Sequence, residues 1–296
     1  MDESRGKYRL SVVISTVNPP STVARSIQPL IAQVAAVGGE LIIISGAKNT
    51  ALPGIDNVRV HAIPGASVFD CRAAALRIAS GDIIALTEDH CVQGKDWCTR
   101  ILKNFAERPD LVLLGGAVAN ASTERIEDLM NYWMTFATFA PGQVVARHPC
   151  VAQFIVKAER LDGPIETGEL EDRLIKKFEL VPGAIHIDPE LQVRHVQSHG
   201  FCNTFLVHYH NGRATGGFSV RRTSGRNLSV WQSLQWAWID ALAHLRRTAR
   251  AFAIGGKSAF AVAGYCCLIL PLVATHCIGE FVGYRSGPGK SPRYLG

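Results

Sequence analysis

The chain has 296 residues, 47% of them hydrophobic and 19% charged, which is enough to bury a sizeable core as one large domain or two small ones. That composition excludes a disordered chain, a collagen-like repeat and a small disulfide scaffold. The net charge of +6 is uneven, because from Arg221 onward ten Lys and Arg stand against two acids.

Residues 10–15 (LSVVIS) form a short, β-branched apolar run, as a buried parallel strand requires. Pro19 and Pro20 break the chain, and Ser21 or Thr22 can cap a helix running to residue 36. Further strands are expected at 41–44, 58–63, 83–86 and 111–114, with helices at 69–80 and 96–107 between them. This alternation predicts a mostly parallel, two-sided α/β sheet. The second half is less regular. It shows helical patterns at 124–139 and 169–178, and short strands at 152–156, 185–187 and 192–195 around Pro189.

From Leu228 the character changes. Trp231, Leu234, Trp238, Leu242, Leu245, Ala249 and Phe252 recur at three- and four-residue spacing. This predicts an amphipathic helix suited either to a membrane interface or to an α/β core. Residues 258–279 then contain no Asp, Glu, Lys or Arg, about the length of a membrane span. Pro271 sits mid-run and basic residues lie on both flanks, so a hairpin that enters the membrane and returns at Pro271 is expected. A single kinked span and a buried helix are the other readings. The mean hydropathy of +0.11 agrees with a surface partly out of water. A basic block beside an apolar run favours an anionic membrane over nucleic acid. The eight cysteines form no CxxC pair, which favours reduced thiols in a cytoplasmic compartment. The N-terminus, MDESRGKYRL, is polar and lacks the apolar stretch of a signal peptide.

Ligands of open α/β sheets bind beyond the carboxyl ends of the strands. There strand one presents Thr16, Val17 and Asn18, strand two Ser45, and strand four the triplet Glu88-Asp89-His90. Carboxylate and imidazole together can hold a divalent cation, although acids also cap turns after strands. A second acidic group, Glu169, Glu171 and Asp172, opens a helix, where the macrodipole favours negative charge. One of these acids can serve as a general base if it faces a cleft. No HExxH, GxGxxG after strand one, GxxxxGK[ST] or GxSxG is present. A zinc protease, a Rossmann dinucleotide site, a P-loop and an α/β-hydrolase are therefore disfavoured.

These features occur in an order that resembles the family-2 glycosyltransferases of GT-A fold, from Tyr8 to His195. LSVVISTVNPP resembles the first strand and nucleotide loop, and FDCRAAALRIASGDIIALTEDHC the helix, turn and strand ending in a DxD-type motif. ELEDRL resembles the acceptor-side "ED" motif, and PELQVRH the segment ending in the family's His. The resemblance implies a glycosyltransferase domain over 1–222 and a membrane-associating segment over 223–296. It implies donor contacts from Thr16, Val17, Asn18, Ser45, Arg72, Glu88 and Asp89. It places Mn²⁺ or Mg²⁺ at Glu88, Asp89, His90 and His195, and the catalytic base at Asp172 with Glu171 orienting it. The implied reaction is an inverting transfer from a nucleotide-sugar donor to a hydroxyl acceptor, lipid-linked or a growing glycan. Such chemistry belongs to polysaccharide biosynthesis at a membrane, with the catalytic domain in the cytoplasm. Two departures stand out. Strand two ends in Ser45-Gly46-Ala47-Lys48-Asn49 rather than in acids, and the DxD-type triplet reads Glu-Asp-His. An inactive sugar-nucleotide-binding module and a membrane scaffold are the alternatives.

Overall fold

The computed structural model describes residues 8–18, 20–47, 58–161, 170–223 and 228–295. The chain divides into two compact units: Met1–Ala119 with Ala146–Val196 and Gly296, and Asn120–Val145 with Gln197–Leu295. The chain passes from the first unit to the second after Ala119, returns at Ala146, and passes over again after Val196.

The first unit is built on an eight-stranded sheet. In chain order its strands are β1 (Tyr8–Thr16), β2 (Glu40–Ser45), β3 (Val58–Ala62), β4 (Gly81–Glu88), β5 (Cys91–Gln93), β6 (Leu113–Asn120), β7 (Gln153–Lys157) and β8 (Ile185–His195). The spatial order is β3-β2-β1-β4-β7-β6-β8-β5. The half from β3 to β4 is parallel, whereas β7 runs antiparallel to β4 and to β6, and β5 antiparallel to β8. Every residue of β2 is buried, as a central parallel strand between two helical layers requires.

Four helices of this unit are α1 (Pro20–Ala36), α2 (Val68–Ile78), α3 (Trp97–Glu107) and α5 (Leu170–Phe178), with α4 (Ile126–Phe136) belonging to the second unit. Ser67 caps α2 by accepting from the Asp70 amide, and Asp70 accepts from the Ser67 amide in return. Val13, Ile42, Ile84 and Phe154 meet Leu76 of α2 and Leu174 and Phe178 of α5 in one apolar cluster. At the amino ends of β1, β2 and β4, buried Glu40 collects donors from Ser11, Ser80 and Arg59 at 2.6–2.8 Å. Burial alone would raise the Glu40 pKa, but these hydrogen bonds outweigh it and hold the carboxyl below its usual range. Asp188 of β8 is gripped by Arg100 of α3 through two bonds, at 2.6 and 2.9 Å, and by Asn104 at 2.8 Å.

The second unit is helical. Besides α4 it holds α6 (Phe201–Thr223), α7 (Val230–Ile254) and α8 (Ala259–Ser286). Helix α8 runs unbroken through Pro271, so the hairpin expected there does not form. Thr275 donates its hydroxyl to the Pro271 carbonyl at 2.9 Å, a helical i to i−4 bond just past the proline. Helices α6 and α8 approach backbone to backbone. Gly212 and Gly216 face His276 and Glu280, while Gly279 and Gly283 face Tyr209 and Arg213. A Cβ on Gly216 would lie 2.5 Å from the Glu280 carbonyl oxygen, so both helices carry a GxxxG pair where any side chain would force them apart. The expected stripe of α7 is split in the structure. Phe252 is buried and Leu245 packs against the bundle core, whereas Trp231, Leu234 and Trp238 are exposed. The buried face of α7 runs instead through Ser233, Ala237, Thr248 and Ala251.

Candidate active site

The carboxyl ends of β1, β2 and β4 form one edge. Ser15 lies opposite Glu88, and Thr16 opposite Ser45. After Glu88 a two-residue turn, Asp89-His90, leads into β5, whose Cys91 pairs with His195 of β8. The Val196 amide also donates to the His90 carbonyl at 2.8 Å. This pairing brings two histidines together that are far apart in the chain.

Their Nε2 atoms are 3.0 Å apart, with the rings perpendicular. Glu88 Oε2 lies 3.4 Å from His90 Nε2 and 3.9 Å from His195 Nε2. Glu88, His90 and His195 are the group that can hold a metal ion among the described residues, with all three ligand atoms within 4.8 Å of one another. Two imidazole nitrogens at this distance need a proton or a cation between them, since two lone pairs would repel. Burial alone would lower the His90 pKa, but the Glu88 and Asp89 carboxylates raise it to about 10. Burial would raise Glu88, yet the His90 charge and hydrogen bond, with Arg72, bring it down to about 2. The site is thus organised around a positive charge, and one carboxylate with two imidazoles is a donor set that can hold a divalent cation. Cys150 does not compete as a thiolate, because burial pushes it up to about 12.

Asp89 points elsewhere. Its Oδ2 accepts from the Thr16 hydroxyl and, at 3.0 Å, from Asn18 Nδ2, while Oδ1 lies 2.8 Å from His90 Nδ1. A carboxylate on Nδ1 fixes which ring nitrogen faces a metal. Asp89 therefore ties the loop after β1 to His90 and lies outside the group of three. Thr16 also accepts from the Asn18 amide at 3.0 Å.

Arg72 of α2, almost fully buried, reaches Glu88 Oε1 at 3.1 Å and Glu171 Oε1 at 3.4 Å. It is the physical link between the strand-four triplet and the acids of α5. Glu171 is mostly buried, and its neighbour Asp172 is exposed. Ser45 is buried, and its hydroxyl accepts from the Ala47 amide at 3.1 Å, so it closes its own turn. Val17 is half-buried beside it on the same edge. Lys48, Asn49 and Glu169 lie outside the described residues. The sequence reading did not foresee β5, which has three residues and no usable period. It also did not foresee the Arg72 bridge, which no spacing rule encodes.

A comparison with family models finds no match, and one with curated proteins finds none. Solved structures do match. A mannosyltransferase from Pyrobaculum calidifontis, in complex with GDP-Man and Mn²⁺, aligns over 95% of this chain and 86% of its own, with 14% identity and a TM-score of 0.53. Glucosyl-3-phosphoglycerate synthase from Mycobacterium tuberculosis, in complex with Mn²⁺ and UDP-Glc, aligns over 66% of this chain and 73% of its own, with 17% identity and a TM-score of 0.46. TarS residues 1–349 from S. aureus align over 92% of this chain and 90% of theirs, with 12% identity and a TM-score of 0.47. At these identities what is shared is architecture: the chain has a GT-A-like α/β fold of the kind found in glycosyltransferases, with one long apolar helix near its C-terminus.

Proposed function

We propose that the chain is an inverting glycosyltransferase of family-2 type that moves a sugar from a nucleotide-diphosphate donor to a hydroxyl acceptor. The observation that carries this reading is the convergence of Glu88, His90 and His195 at the carboxyl edge of β1 and β4. The mannosyltransferase that shares this architecture is in complex with GDP-Man and Mn²⁺. Glu88, His90 and His195 would hold the cation here, and their donor set favours Mn²⁺ over Mg²⁺. A bound cation supplies the charge that neutralises a leaving diphosphate.

The chain's own residues do the rest. Asp89 holds His90 by Nδ1 and, through Thr16 and Asn18, fixes the loop after β1 on which the donor would rest. Arg72 keeps Glu88 and Glu171 together despite their like charges. Asp172, exposed beside Glu171, takes the proton of the acceptor hydroxyl, and Glu171 positions that end of α5 through Arg72. Membrane association is part of the proposal. It is supported by the apolar helix α8 and by the exposed tryptophans of α7, and it makes a lipid-linked or growing-glycan acceptor the natural one. Eight free cysteines accord with a cytoplasmic catalytic unit.

A second reading, a sugar-nucleotide-binding module without turnover, draws on β2. Its end offers no acid, and Ser45 is buried and engaged with its own turn. One experiment separates the two. Purified full-length chain is heated with nucleoside diphosphates and their sugars, with and without Mn²⁺. A ligand at 100 times its Kd stabilises by about 2.7 kcal/mol, a visible shift. Asp172→Asn should keep that shift and lose about 10²–10⁴-fold in turnover. Near-normal turnover in the variant removes Asp172 as the base. A donor-dependent shift with no turnover in the native chain favours the binding module, and no shift with any donor refutes both.

A further inference from the structure

The long apolar helix α8 passes the length and composition test for a membrane span. Its partner α7 argues against that placement. The two helices run antiparallel: Asp240 of α7 accepts from Tyr284 at 2.7 Å, the rings of His244 and His276 are 5.0 Å apart, and Phe252 stacks on Tyr265. Residues 245–251 of α7 therefore lie at the level of residues 265–276 of α8, the middle of its apolar run. Three exposed arginines, Arg246, Arg247 and Arg250, sit in that stretch. If α8 crossed a bilayer, all three would hang at mid-depth, where charge is least tolerated.

The exposed surface of α8 is a stripe, not a full circumference. Phe260, Cys267, Leu270, Pro271, Ala274 and Ile278 are exposed, and they recur at helical spacing over about 27 Å. The other sides are covered by α6 and α7. Phe260 is 89% exposed and Ile278 59%, so the stripe lacks a partner within its unit among the described residues. Helix α7 presents outward the mixture expected at head-group depth: Trp231, 81% exposed, Trp238, 67% exposed, and then the three arginines. Its one acid, Asp240, is engaged with Tyr284.

We propose that the helical unit lies along one leaflet of an anionic phospholipid bilayer, with the α8 stripe in the acyl layer, Arg246, Arg247 and Arg250 among the head groups, and both ends of α8 on the same side. The inference rests on the membrane association proposed above and specifies its geometry and its lipid. It retains the common side for both basic flanks that the sequence suggested, by a helix lying flat instead of a hairpin.

The test uses the full chain expressed in a bacterial host, with the exposed native thiols removed as Cys202→Ser and Cys267→Ala. Lys257→Cys and Lys290→Cys, at exposed positions beyond either end of α8, are introduced separately. A membrane-impermeant maleimide is applied to spheroplasts and to inside-out vesicles. Both cysteines should react in the same preparation and neither in the other. In parallel, the purified chain is floated with phosphatidylcholine vesicles and with vesicles containing phosphatidylglycerol. Binding should require the anionic lipid. Replacing Arg246, Arg247 and Arg250 with Gln should weaken it roughly 100-fold, at about 1 kcal/mol per arginine near the surface. One end labelled in each preparation overturns the flat placement and leaves a span. Equal binding to both vesicle types overturns the anionic preference. Recovery of the chain in the soluble fraction, with no flotation, removes membrane association itself.

Discussion

Substituting Asp89 and Glu88 in turn tests the proposal that Glu88 is a metal ligand and Asp89 only orients one. Asp89→Asn keeps the shape of a buried side chain whose oxygens serve Thr16, Asn18 and His90. The amide must turn its NH₂ either toward the two donors Thr16 and Asn18 or toward His90 Nδ1, so at least one of the three contacts is lost or reversed whichever way it faces. None of the lost contacts is to the point where Glu88, His90 and His195 converge. Loss of a partner that orients a ligand costs about 10–100-fold in metal affinity, or roughly 1.4–2.7 kcal/mol. Glu88→Gln instead removes the only carboxylate of the group, and with it the charge that Arg72 and His90 both face. Its effect on Mn²⁺ affinity should exceed that of Asp89→Asn by at least about tenfold. Mn²⁺ titration followed by electron paramagnetic resonance of the free ion measures both directly, with circular dichroism confirming the fold. If Asp89→Asn abolishes binding while Glu88→Gln leaves it unchanged, the group of three is wrong and the metal sits on the Asp89 side of the turn.

Two further outcomes follow from the packing of each unit. Glu40→Gln should destabilise the first unit by about 2 kcal/mol at neutral pH, since several hydrogen bonds to a buried charge are weakened while the pair with half-exposed Arg59 counts for little. The Glu40 pKa is depressed in the folded chain, so its contribution is present above the ordinary carboxyl range and is lost as pH falls through the folded value. Urea unfolding from pH 7 to pH 3 should therefore show a steeper acid loss in the native chain than in Glu40→Gln, and parallel curves would refute the assignment. Gly216→Val should separate α6 from α8, because its Cβ alone would lie 2.5 Å from the Glu280 carbonyl oxygen. Limited proteolysis should then cut the helical unit faster than the native one, and an unchanged digestion pattern would contradict the close helix approach.

Much of the first unit was legible in the sequence because its central strands, such as β1 and β2, are buried on both faces. Continuous runs such as LIII in β2 announce themselves, and the turns after them carry the polar residues. Three features were not legible, for three reasons. Strand β5 is too short to show a period and exists through its pairing with β8. Strand β8 runs through Pro189, where a break was expected, because that residue is exposed and needs no ladder donor there. Helix α6 gives no helical signal in the sequence, since Gly212, Gly216 and Gly217 lower its propensity and erase an apolar stripe. The same glycines let α6 and α8 touch, so the signal lost in one helix reappears in the packing of two.

The candidate site follows the same division. Each strand end is readable alone, and Thr16, Glu88, Asp89, His90 and His195 all stand at one. What the sequence does not encode locally is the sorting among them. In the triplet Glu88-Asp89-His90 the middle acid is the obvious ligand by analogy with an acidic motif. Yet the turn after β4 brings His90 back beside Glu88, while it aims Asp89 at Thr16 and Asn18. Pairing of Cys91 with His195 then decides which direction is the site, because it delivers His195 to the side of Glu88 and His90. Asp89, left on the other side, meets Thr16 and Asn18 of the loop after β1 and still reaches His90 through Nδ1. His90 serves two neighbours because an imidazole has two working nitrogens, one for the adjacent carboxylate and one for the group of three. His90→Ala, which keeps neither nitrogen, should therefore lose the order of the turn and the metal together, whereas His195→Ala should lose the metal alone.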